Sequence, residues 1–560
     1  WLMSSAKKML LSAAGVGGAG LDISEVFSTF LFTGTGANKT ITNGIDLDGE
    51  GGLVWIKGRS LGYNNVLTDT ERGVTQQMSS NQSDGQQAYS TGLTAFNSNG
   101  FSIGSNGQYN NNTSTMASWT FRKAPKFFDV VTYTGNGQAS NNISHDLNSI
   151  PAFVISKRTD STGNWNIAAR QSDGKYISGT GSYPTALNVT TGANVITGSN
   201  GASDMNLTST TFDAKRLTGW NSNDGSGNVS NINNATYVAY LFAHNNNDGE
   251  FGPDADQDII KCGSISGANG RADLGFEPQW VLLKQTNSTS NWILLDVMRG
   301  WTPVNENDDA HLFPNLNSTE ADYNGPSFDA TGFNYGQSGE NWIYMAIRAP
   351  MITPPAAATN VFDITAYTGN GATNRSIGGL LIDMNMLRTR DGNHSGSDDF
   401  HLWDRLRGPA PALHTSTNGA EETNWSGVYY NIDQMTGWRN GSDATYFNNN
   451  TGTYISYIWK RAKGYMDCVA YTGTGANRTV AHSLGVVPEM MWIKNRETAI
   501  AWAVYHKDLG NAKALFLNDD QAEFSNTSIW NQTTPTDTNF TLGTYGNSVN
   551  QSGKGFIAYL

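Results

Sequence analysis

The sequence predicts an all-β protein: a tandem array of antiparallel β-sandwich modules, of the jelly-roll kind, behind a short N-terminal segment. Three observations predict this class. A strand-and-turn pattern recurs along the chain, short strands alternate with turns rich in Gly and Asn, and almost no helical periodicity follows residue 25. A chain of 560 residues also exceeds what one hydrophobic core can organise, so several domains are expected.

The first repeated element is a strand closed by a glycine turn. It reads VFSTFLFTGTGAN from 26, FFDVVTYTGNGQAS from 127, VFDITAYTGNGATN from 361 and YMDCVAYTGTGAN from 465, with a degraded copy, QDIIKCGSISGANG, from 257. T-G-x-G favours a tight turn because glycine enters positive φ freely. In the degraded copy Cys262 is expected at the tyrosine position, whereas Cys468 directly follows the Asp and lies on the opposite strand face. We therefore expect two independent, buried cysteines that do not pair.

The second repeated element is an apolar strand that ends in a cation. The aligned cations are Lys57, Lys157, Lys284, Arg388 and Lys494, and in three copies a further arginine follows two residues later, at Arg59, Arg390 and Arg496. Prolines precede the strand in three copies, where a missing N–H costs no ladder bond. The simplest interpretation is a strand end whose cation is solvated.

Three copies continue into D-x-x-R-G, and the fifth has HKDLG from His506 instead. The motif residues are Asp69, Arg72 and Gly73; Asp296, Arg299 and Gly300; and Asp404, Arg407 and Gly408. An Asp and an Arg three residues apart suit a local ion pair that pins a turn, and such pairs contribute little when exposed. We favour this structural interpretation over a ligand site because the fifth copy lacks the pair.

Each copy closes with an aromatic strand, which sets the predicted boundaries. They are an N-terminal segment at 1–25 and β-sandwich modules 1 to 5 at 26–124, 127–245, 258–349, 361–462 and 465–560. The last strand, GFIAYL, stops short of the module 2 sequence, so the chain is expected to continue beyond Leu560. Joints rich in Pro, Ala and Asn follow modules 2 and 3 and predict linkers, as for beads on a string that still leave room for interfaces.

The N-terminal segment has two lysines before a short run of apolar and small residues. We interpret it as an anchor that docks on another protein, with an incidental tail as the alternative. Because the first residue is Trp, upstream residues are expected.

Composition argues against several partner classes. The net charge is −13 and charged residues make up 15% of the chain, without the basic stripe that neutralises phosphates, so nucleic acid and an anionic membrane surface are poor partners. No run approaches the roughly 20 apolar residues of a membrane span, so no membrane insertion is expected. The two cysteines supply neither a disulfide framework nor a zinc site.

Catalytic patterns are weak, and we expect no enzyme. Paired carboxylates at 46–50 and 398–404 could serve a glycosidase, but neither pair recurs in the other copies. The eight histidines are scattered, and the acidic run at 254–258 lacks the Gly and Glu of a calcium loop, so it is expected to be a solvated linker. No catalytic, cofactor-binding or metal residue is assigned, and the ligand-binding residues stay unknown.

Three tryptophans are candidates for stacking on sugars, on a surface rich in Asn, Ser and Thr. They are Trp165, Trp292 and Trp502. Two of them share the context N-W and the third falls at a similar place in its copy, which is how a core position behaves. We favour the core over a sugar platform.

The fifth copy carries a resemblance. It combines Y-T-G-T-G, then H-x-L-G-x-x-P-x-x-x-x-I-K-N-R from His482 to Arg496, W-A-V-Y-H from Trp502 and the closing G-F-I-A-Y-L. This combination resembles concanavalin-like modules of tailed-phage structural proteins, found in tail fibres and other virion appendages, often of marine phages. Module 1 resembles the version near the start of such proteins, through Ile41 to Lys57, and modules 3 and 4 depart most.

The resemblance implies a virion protein on the tail or another external appendage, a tail fibre or receptor-binding protein that attaches the particle to host surface glycans. It further implies a homo-oligomer, with a trimer favoured, that meets other virion proteins through the N-terminal segment. It carries over no catalytic residue. The alternatives are an architectural virion component, such as a tail sleeve, nozzle or capsid decoration, and a polysaccharide depolymerase, which we favour less.

Overall fold

The protein is nearly all β. In a computed structural model of the chain, 42% of the residues lie in strands and 5% in helices, and the strands form several antiparallel sheets. The predicted all-β class of tandem β-sandwiches is confirmed. The structure describes residues 20–138, 140–178, 186–190, 206–214, 230–303, 309–350, 354–355, 357–391, 399–408, 411–423, 429–432 and 434–560. Residues 1–19 of the predicted anchor therefore lie outside the described residues.

The strands are numbered here in chain order. The range of module 1 holds α1 (Ile23–Val26), β1 (Phe27–Thr33), β2 (Lys39–Thr42), β3 (Gly52–Gly58), β4 (Val66–Asp69), β5 (Gln76–Ser79), β6 (Gln87–Ala88), β7 (Leu93–Asn97), β8 (Gly100–Ile103), α2 (Gly107–Asn110) and β9 (Thr115–Arg122). Module 2 holds β10 (Phe128–Thr134), β11 (Asn142–Ser144), β12 (Phe153–Arg158), β13 (Trp165–Arg170), β14 (Tyr176–Ser178), β15 (Thr211–Asp213) and β16 (Thr236–Phe242).

Module 3 holds β17 (Ile260–Ser266), β18 (Gly270–Asp273), β19 (Pro278–Gln285), β20 (Trp292–Asp296), the 3-10 helix Val297–Arg299, β21 (Asp309–His311), β22 (Ala321–Tyr323), β23 (Ser327–Asp329), β24 (Gly332–Tyr335) and β25 (Asn341–Arg348). Module 4 holds β26 (Phe362–Thr368), β27 (Ser376–Ile377), β28 (Met384–Thr389), β29 (His401–Asp404), β30 (Leu413–His414), β31 (Trp438–Arg439) and β32 (Thr453–Trp459), with 3-10 helices at Ala358–Asn360 and Arg405–Arg407.

Module 5 holds β33 (Cys468–Thr472), β34 (Arg478–Ala481), β35 (Met490–Asn495), β36 (Ala503–His506), β37 (Lys513–Phe516), β38 (Phe524–Ser525), β39 (Asn539–Leu542) and β40 (Gly555–Tyr559). A π-helical turn at Gly546–Asn550 precedes the last strand.

One strand order recurs in five main sheets. In each, the first strand pairs with the closing strand, the closing strand with the strand that ends in the cation, and that strand with the next one. The sheets contain β1-β9-β3-β4, β10-β16-β12-β13, β17-β25-β19-β20, β26-β32-β28-β29 and β33-β40-β35-β36. Each main sheet lies within the range of one predicted module, although the boundaries of five separate domains stay a prediction.

Each module range also has a small sheet, built from β2-β8, β11-β15, β18-β24, β27-β31 or β34-β39. In module 5 a hydrophobic core lies between the two sheets; it includes Tyr471, Ile493 and Phe556 from the main sheet and Val480 and Phe540 from the small one. Alternate residues of a strand point to opposite faces. The other face of the main sheet is therefore free to meet a neighbouring module.

The contacts of the chain divide into two compact units. Unit 1 is Trp1–Asp296, Ala310–Asp322 and Thr331–Met351, and unit 2 is Val297–Asp309, Tyr323–Ala330 and Ile352–Leu560. Unit 1 thus contains modules 1, 2 and most of 3, and unit 2 contains modules 4 and 5 with two segments of module 3.

Candidate functional site: the contacts between modules

The strand-end lysines are buried, so the solvated strand end expected for them is wrong. Lys57, Lys157, Lys284 and Lys494 are each 0% exposed. Burial lowers the pKa of each ammonium group to about 8. A buried ammonium must donate hydrogen bonds to be tolerated, and backbone carbonyl oxygens accept them here.

In unit 1 each lysine donates to a carbonyl of its own module, at Tyr63, Arg158 or Ser290, and also to a loop of a different module. The Nζ atom of Lys57 lies 3.1 Å from Asn317 O of module 3, and that of Lys157 lies 3.0 Å from Ser83 O of module 1. Lys284 Nζ lies 3.0 Å from Thr190 O of module 2. For Lys494 the described acceptors, Asn495 O and Thr498 O, both belong to its own module. The sequence could align these lysines but held no signal for acceptors so distant along the chain.

The residue paired with the lysine on the next strand repeats this pattern. Trp165 Nε1 donates to Ser79 O at 2.9 Å, Trp292 Nε1 to Ala186 O at 2.9 Å, and Trp502 Nε1 to His414 O at 3.0 Å. In module 1 the position is Asn65, whose Nδ2 donates to Leu316 O at 2.7 Å. All three tryptophans are 0% exposed. The interpretation of these tryptophans as core residues is confirmed, and the sugar platform is not. Each tryptophan packs in a core that includes a loop of the preceding module.

In unit 1 the loop contacts link the three modules in a closed cycle. Module 1 gives a loop to module 2, module 2 gives one to module 3, and module 3 gives one back to module 1. Aromatic rings meet where the three main sheets converge: the Phe121 centroid lies 5.5 Å from Phe242 of module 2 and 5.9 Å from Trp280 of module 3. Modules 1 to 3 are therefore a three-module ring with head-to-tail interfaces. The interfaces that the sequence left open are present here, so these modules are not independent beads.

The D-x-x-R-G motif lies at the same interfaces. Arg72 Nε lies 2.6 Å from Asp69 Oδ2, and the Tyr240 hydroxyl of module 2 donates to that oxygen at 2.8 Å. In unit 2, Arg407 Nε lies 2.5 Å from Asp404 Oδ2, with both side chains fully buried. The Tyr559 hydroxyl of module 5 also donates to Asp404. The predicted local ion pair is present in both motifs, but it is buried and reaches the next module.

The third motif and the degenerate copies follow the same geometry. Asp296 Oδ2 accepts the Trp119 indole N–H of module 1 at 2.9 Å. By strand register, Ala169 stands at the Asp position of module 2, and Met345 stands at the Tyr240 position of module 3. Where the carboxylate is absent, its donor is absent as well. A buried donor without an acceptor would carry a desolvation penalty, so the two positions must change together.

The second arginine of the strand end forms ion pairs between modules. Arg59 binds Glu320 of module 3 at 2.6 Å, and Arg496 binds Glu421 of module 4 at 2.7 Å. Glu421 also lies 3.1 Å from Arg407. Although burial acts in the opposite sense, Arg496 and Arg407 hold the pKa of Glu421 below its ordinary value. Arg390, in module 4, is exposed.

Strand register corrects the alignment of the cysteines. Cys262 pairs with Met345 and Cys468 with Tyr559, which occupy one equivalent position of the closing strand. Cys262 therefore corresponds to Cys468, and Ile265, paired with Trp342, takes the tyrosine position. The predicted opposite faces were wrong because the degraded copy is offset by three residues. Both cysteines are free and buried, as expected.

A buried asparagine that sequence reasoning missed pins the glycine turn in four modules. Asn550 Oδ1 accepts the Thr474 N–H at 2.8 Å, and its amide donates to Ala476 O at 2.6 Å. The tyrosine of the same signature, Tyr471, donates its hydroxyl to Val549 O at 2.7 Å. The equivalent asparagines are Asn110, Asn231 and Asn448. Each lies six residues before the same position of the closing strand, and this fixed spacing is the signal that could have found it.

The carboxylates considered for catalysis or calcium have other partners. Asp46 accepts the Gly49 N–H, and Glu50 pairs with Arg122 at 2.8 Å. Asp258 accepts the N–H groups of Asn247 and Gly249. Asp404 is in the interface above, and residue 398 lies outside the described residues. Across the part of the chain that the structure describes, no group of three His, Cys, Asp or Glu side chains could hold a metal ion.

Among the described residues, no helix is long and apolar enough to cross a membrane. A small, open pocket in unit 2 is lined by Val297, Met298, Arg299, Gly300, Arg405, Gly408 and Ile432. It lies beside two of the D-x-x-R-G turns.

Comparison with known families assigns the chain. Residues 22–349 and 357–560 match a family described as a domain of unknown function, DUF7483. The chain belongs to the DUF7483 family. No curated protein and no solved structure matches it. The first DUF7483 match spans modules 1 to 3, which form the ring, and the second spans modules 4 and 5.

Proposed function

We propose that this DUF7483 protein is a structural protein of a tailed-phage virion, a tail fibre or tail-associated receptor-binding protein that attaches the particle to host surface glycans. The observation that carries the proposal is that the repeated polar residues are buried between modules. These residues are the lysines, the D-x-x-R pairs and the tryptophans shared by the modules. They build a rigid scaffold, and rigid scaffolds commonly carry their binding residues on surface loops.

The surface loops suit such a role. The turns between strands are rich in Asn, Ser, Thr and Gly, whose amides and hydroxyls can hydrogen bond to sugars. They differ among modules more than the buried positions do, so the proposed glycan contacts need not recur in every module. The proposal assigns no catalytic residue, no cofactor and no metal.

The proposed setting is the virion tail or another external appendage. The N-terminal segment at 1–25 is the proposed attachment to other virion proteins, and a homotrimer is the proposed assembly. A ring of three modules has the pseudo-threefold arrangement that could lie on the threefold axis of a trimer. Sedimentation of the purified chain measures whether it is a monomer or a trimer.

The test of attachment is competition for adsorption. Purified protein is mixed with host cells before the phage, and free phage are counted over time. The proposal expects slower adsorption with the native protein and unchanged adsorption with the same protein heated to unfolding, which is the inactive control. Undiminished adsorption, together with the absence of any signal on a glycan array, would overturn it.

A second candidate, an architectural virion component, is favoured by one observation: the aligned lysines of unit 1 and the three aligned tryptophans contact a neighbouring module. Imaging of intact particles with an antibody against the chain distinguishes the two. Labelling at the tip of a fibre supports attachment, whereas labelling around the tail tube or capsid supports an architectural role.

A further inference from the structure

Among the described residues of unit 2, the interface of the three-module ring occurs once. Module 4 gives a loop to module 5 through His414 and Glu421, as module 1 does to module 2 through Ser79 and Ser83. In the ring, every module also receives a loop. Within the described residues of unit 2, no contact of this kind reaches the lysine-equivalent Arg388, which is half-buried and lies over its own Phe400 at 4.9 Å.

The receiving face of module 4 is correspondingly open. We call open face the outward side of β26 and β32, formed by Phe362, Ile364, Ile455, Tyr457 and Trp459. Ile364 is 52% exposed and the other four are half-buried. In the other modules the position of Ile364 is 0–5% exposed, as Thr29, Val130, Cys262 and Cys468. The position of Tyr457 is 0–4% exposed there, as Trp119, Tyr240, Met345 and Tyr559.

The giving edge of module 5 is open as well. Met490 is 43% exposed and Trp492 is half-buried. The position of Met490 is 0–4% exposed in the other modules, as Leu53, Phe153, Trp280 and Met384. In the ring, Trp280 at this position packs against Phe27 and Phe121 of the next module. These two exposed apolar surfaces of unit 2 therefore correspond to the two surfaces that a third ring member covers in unit 1.

We infer that the open face binds one further module of the DUF7483 type that carries a D-x-x-R-G motif, and that this module completes a second three-module ring. Tyr457 holds the position of Tyr240 and Tyr559, whose hydroxyls both donate to the Asp of such a motif. The incoming Asp–Arg pair accepts the Tyr457 hydroxyl. Its apolar sheet face covers Ile364 and Trp459, which removes exposed apolar surface from water.

A second copy of this chain does not fit the same place. In a ring of three, modules 4 and 5 leave room for one module. If module 5 of a second copy entered, the module 4 bound to it would fall where the first copy's module 5 already lies. Modules 1 to 3 of a second copy already have ring neighbours. The occupant is therefore a module without ring neighbours of its own.

Module 1 of this chain is the probe that fits best, because its Asp69 and Arg72 already bind a tyrosine hydroxyl. The test chain is the full protein extended after Leu560 by a copy of residues 242–257, the joint between modules 2 and 3, and a copy of residues 26–124. Hydroxyl-radical footprinting with mass spectrometry measures side-chain oxidation. We expect oxidation of Tyr457 and Trp459 to fall several-fold relative to the parent chain, with Tyr446, which packs against the opposite core, unchanged.

Two variants of the extended chain test whether the appended module docks specifically on the open face. Tyr457→Asp places a charge in the open face and should restore oxidation of Trp459 to the parent level. Thr479→Asp, an exposed position on the small sheet of module 5, is the matched control and should keep the protection. Limited proteolysis should release the appended module from Tyr457→Asp and leave it attached in the control.

Three outcomes would overturn the inference. The first is an appended module that resists protease while Trp459 stays as reactive as in the parent. The second is an appended module degraded equally in the control and in Tyr457→Asp, because docking should protect it. The third is concentration-dependent protection of Trp459 in the parent chain that Tyr457→Asp abolishes, because the occupant is then a second copy.

Discussion

Tyr559 donates its hydroxyl to Asp404 at 2.5 Å, and so ties the closing strand of module 5 to a carboxylate of module 4. Asp404 is also paired with Arg407, and neither side chain of that pair reaches solvent. Burial raises the pKa of Tyr559 well above its ordinary value, so the hydroxyl stays a proton donor across the physiological range. The Asp–Arg pair, which the sequence predicts to pin a turn, thus also connects two modules.

Removing the buried contact of Asp404 with Arg407 and Tyr559 should lower the stability of unit 2. Asp404→Asn leaves the Arg407 guanidinium buried without its main countercharge, and we expect the free energy of unfolding to fall by about 3–5 kcal/mol. Tyr559→Phe removes only the hydrogen bond to a charged acceptor and should cost about 1.5–3 kcal/mol. Hydrogen exchange of unit 2 peptides in increasing urea measures both.

The control for this experiment is the same position in module 5. His506 replaces the Asp there and is 34% exposed in its side chain. We expect His506→Ala to change stability by no more than about 0.5 kcal/mol. Equal losses in Asp404→Asn and His506→Ala would show that the buried pair does not hold the modules together.

The two cysteines should report the opening of each unit separately. Both lie at one equivalent buried position of the main sheet, and burial raises the pKa of each thiol above its ordinary value. Native protein should therefore resist iodoacetamide at both sites. Asp404→Asn should speed the alkylation of Cys468, which lies under module 4, and leave Cys262 in unit 1 as slow as before. Mass spectrometry of the two peptides tests this, and parallel acceleration at both sites would contradict it.

The buried lysines should make unit 1 more stable as the pH rises above neutrality. Burial lowers the pKa of Lys157 from the ordinary 10.5 to about 8. Between these values the unfolded chain holds a proton that the folded chain has released, so raising the pH favours the folded state. Below pH 8 both states are protonated and the charge in the interior carries its full penalty.

The measurement compares wild type with Lys157→Met at about pH 7.5 and about pH 9.5, a window that lies below the ordinary tyrosine pKa. Lys157→Met leaves Ser83 O without this donor and should be less stable at both values. The gain in stability with pH should nevertheless be smaller in the variant, because one titrating group is gone. Identical gains would mean that Lys157 keeps an ordinary pKa in the fold.

The sequence predicted the strands, the class and the repeated cations because these are local patterns of hydrophobicity and turn residues. It could not place Lys57 beside Asn317, since nothing local marks a carbonyl 260 residues away as its acceptor. Exposure was misjudged for the same reason: a lysine at a strand end is usually solvated, and only the next module buries it. The cysteine register failed because the degraded turn at Gly267 lacks the tyrosine that anchors the other copies.

The pinned glycine turn should depend on its buried asparagine. Asn550 is 0% exposed; its side-chain oxygen accepts the Thr474 N–H, and its amide donates to the Ala476 carbonyl, which otherwise has only the Thr474 hydroxyl as a donor. Asn550→Ala should therefore cost about 1–3 kcal/mol of stability and raise hydrogen exchange at 473–477. Asn477→Ala, on the same turn but bonded to Asn531 at the surface, is the matched control and should leave exchange nearly unchanged. If both variants loosen the turn equally, the glycines and not the asparagine determine its conformation. The fixed spacing of six residues between the asparagine and its position in the closing strand would then have no structural cause.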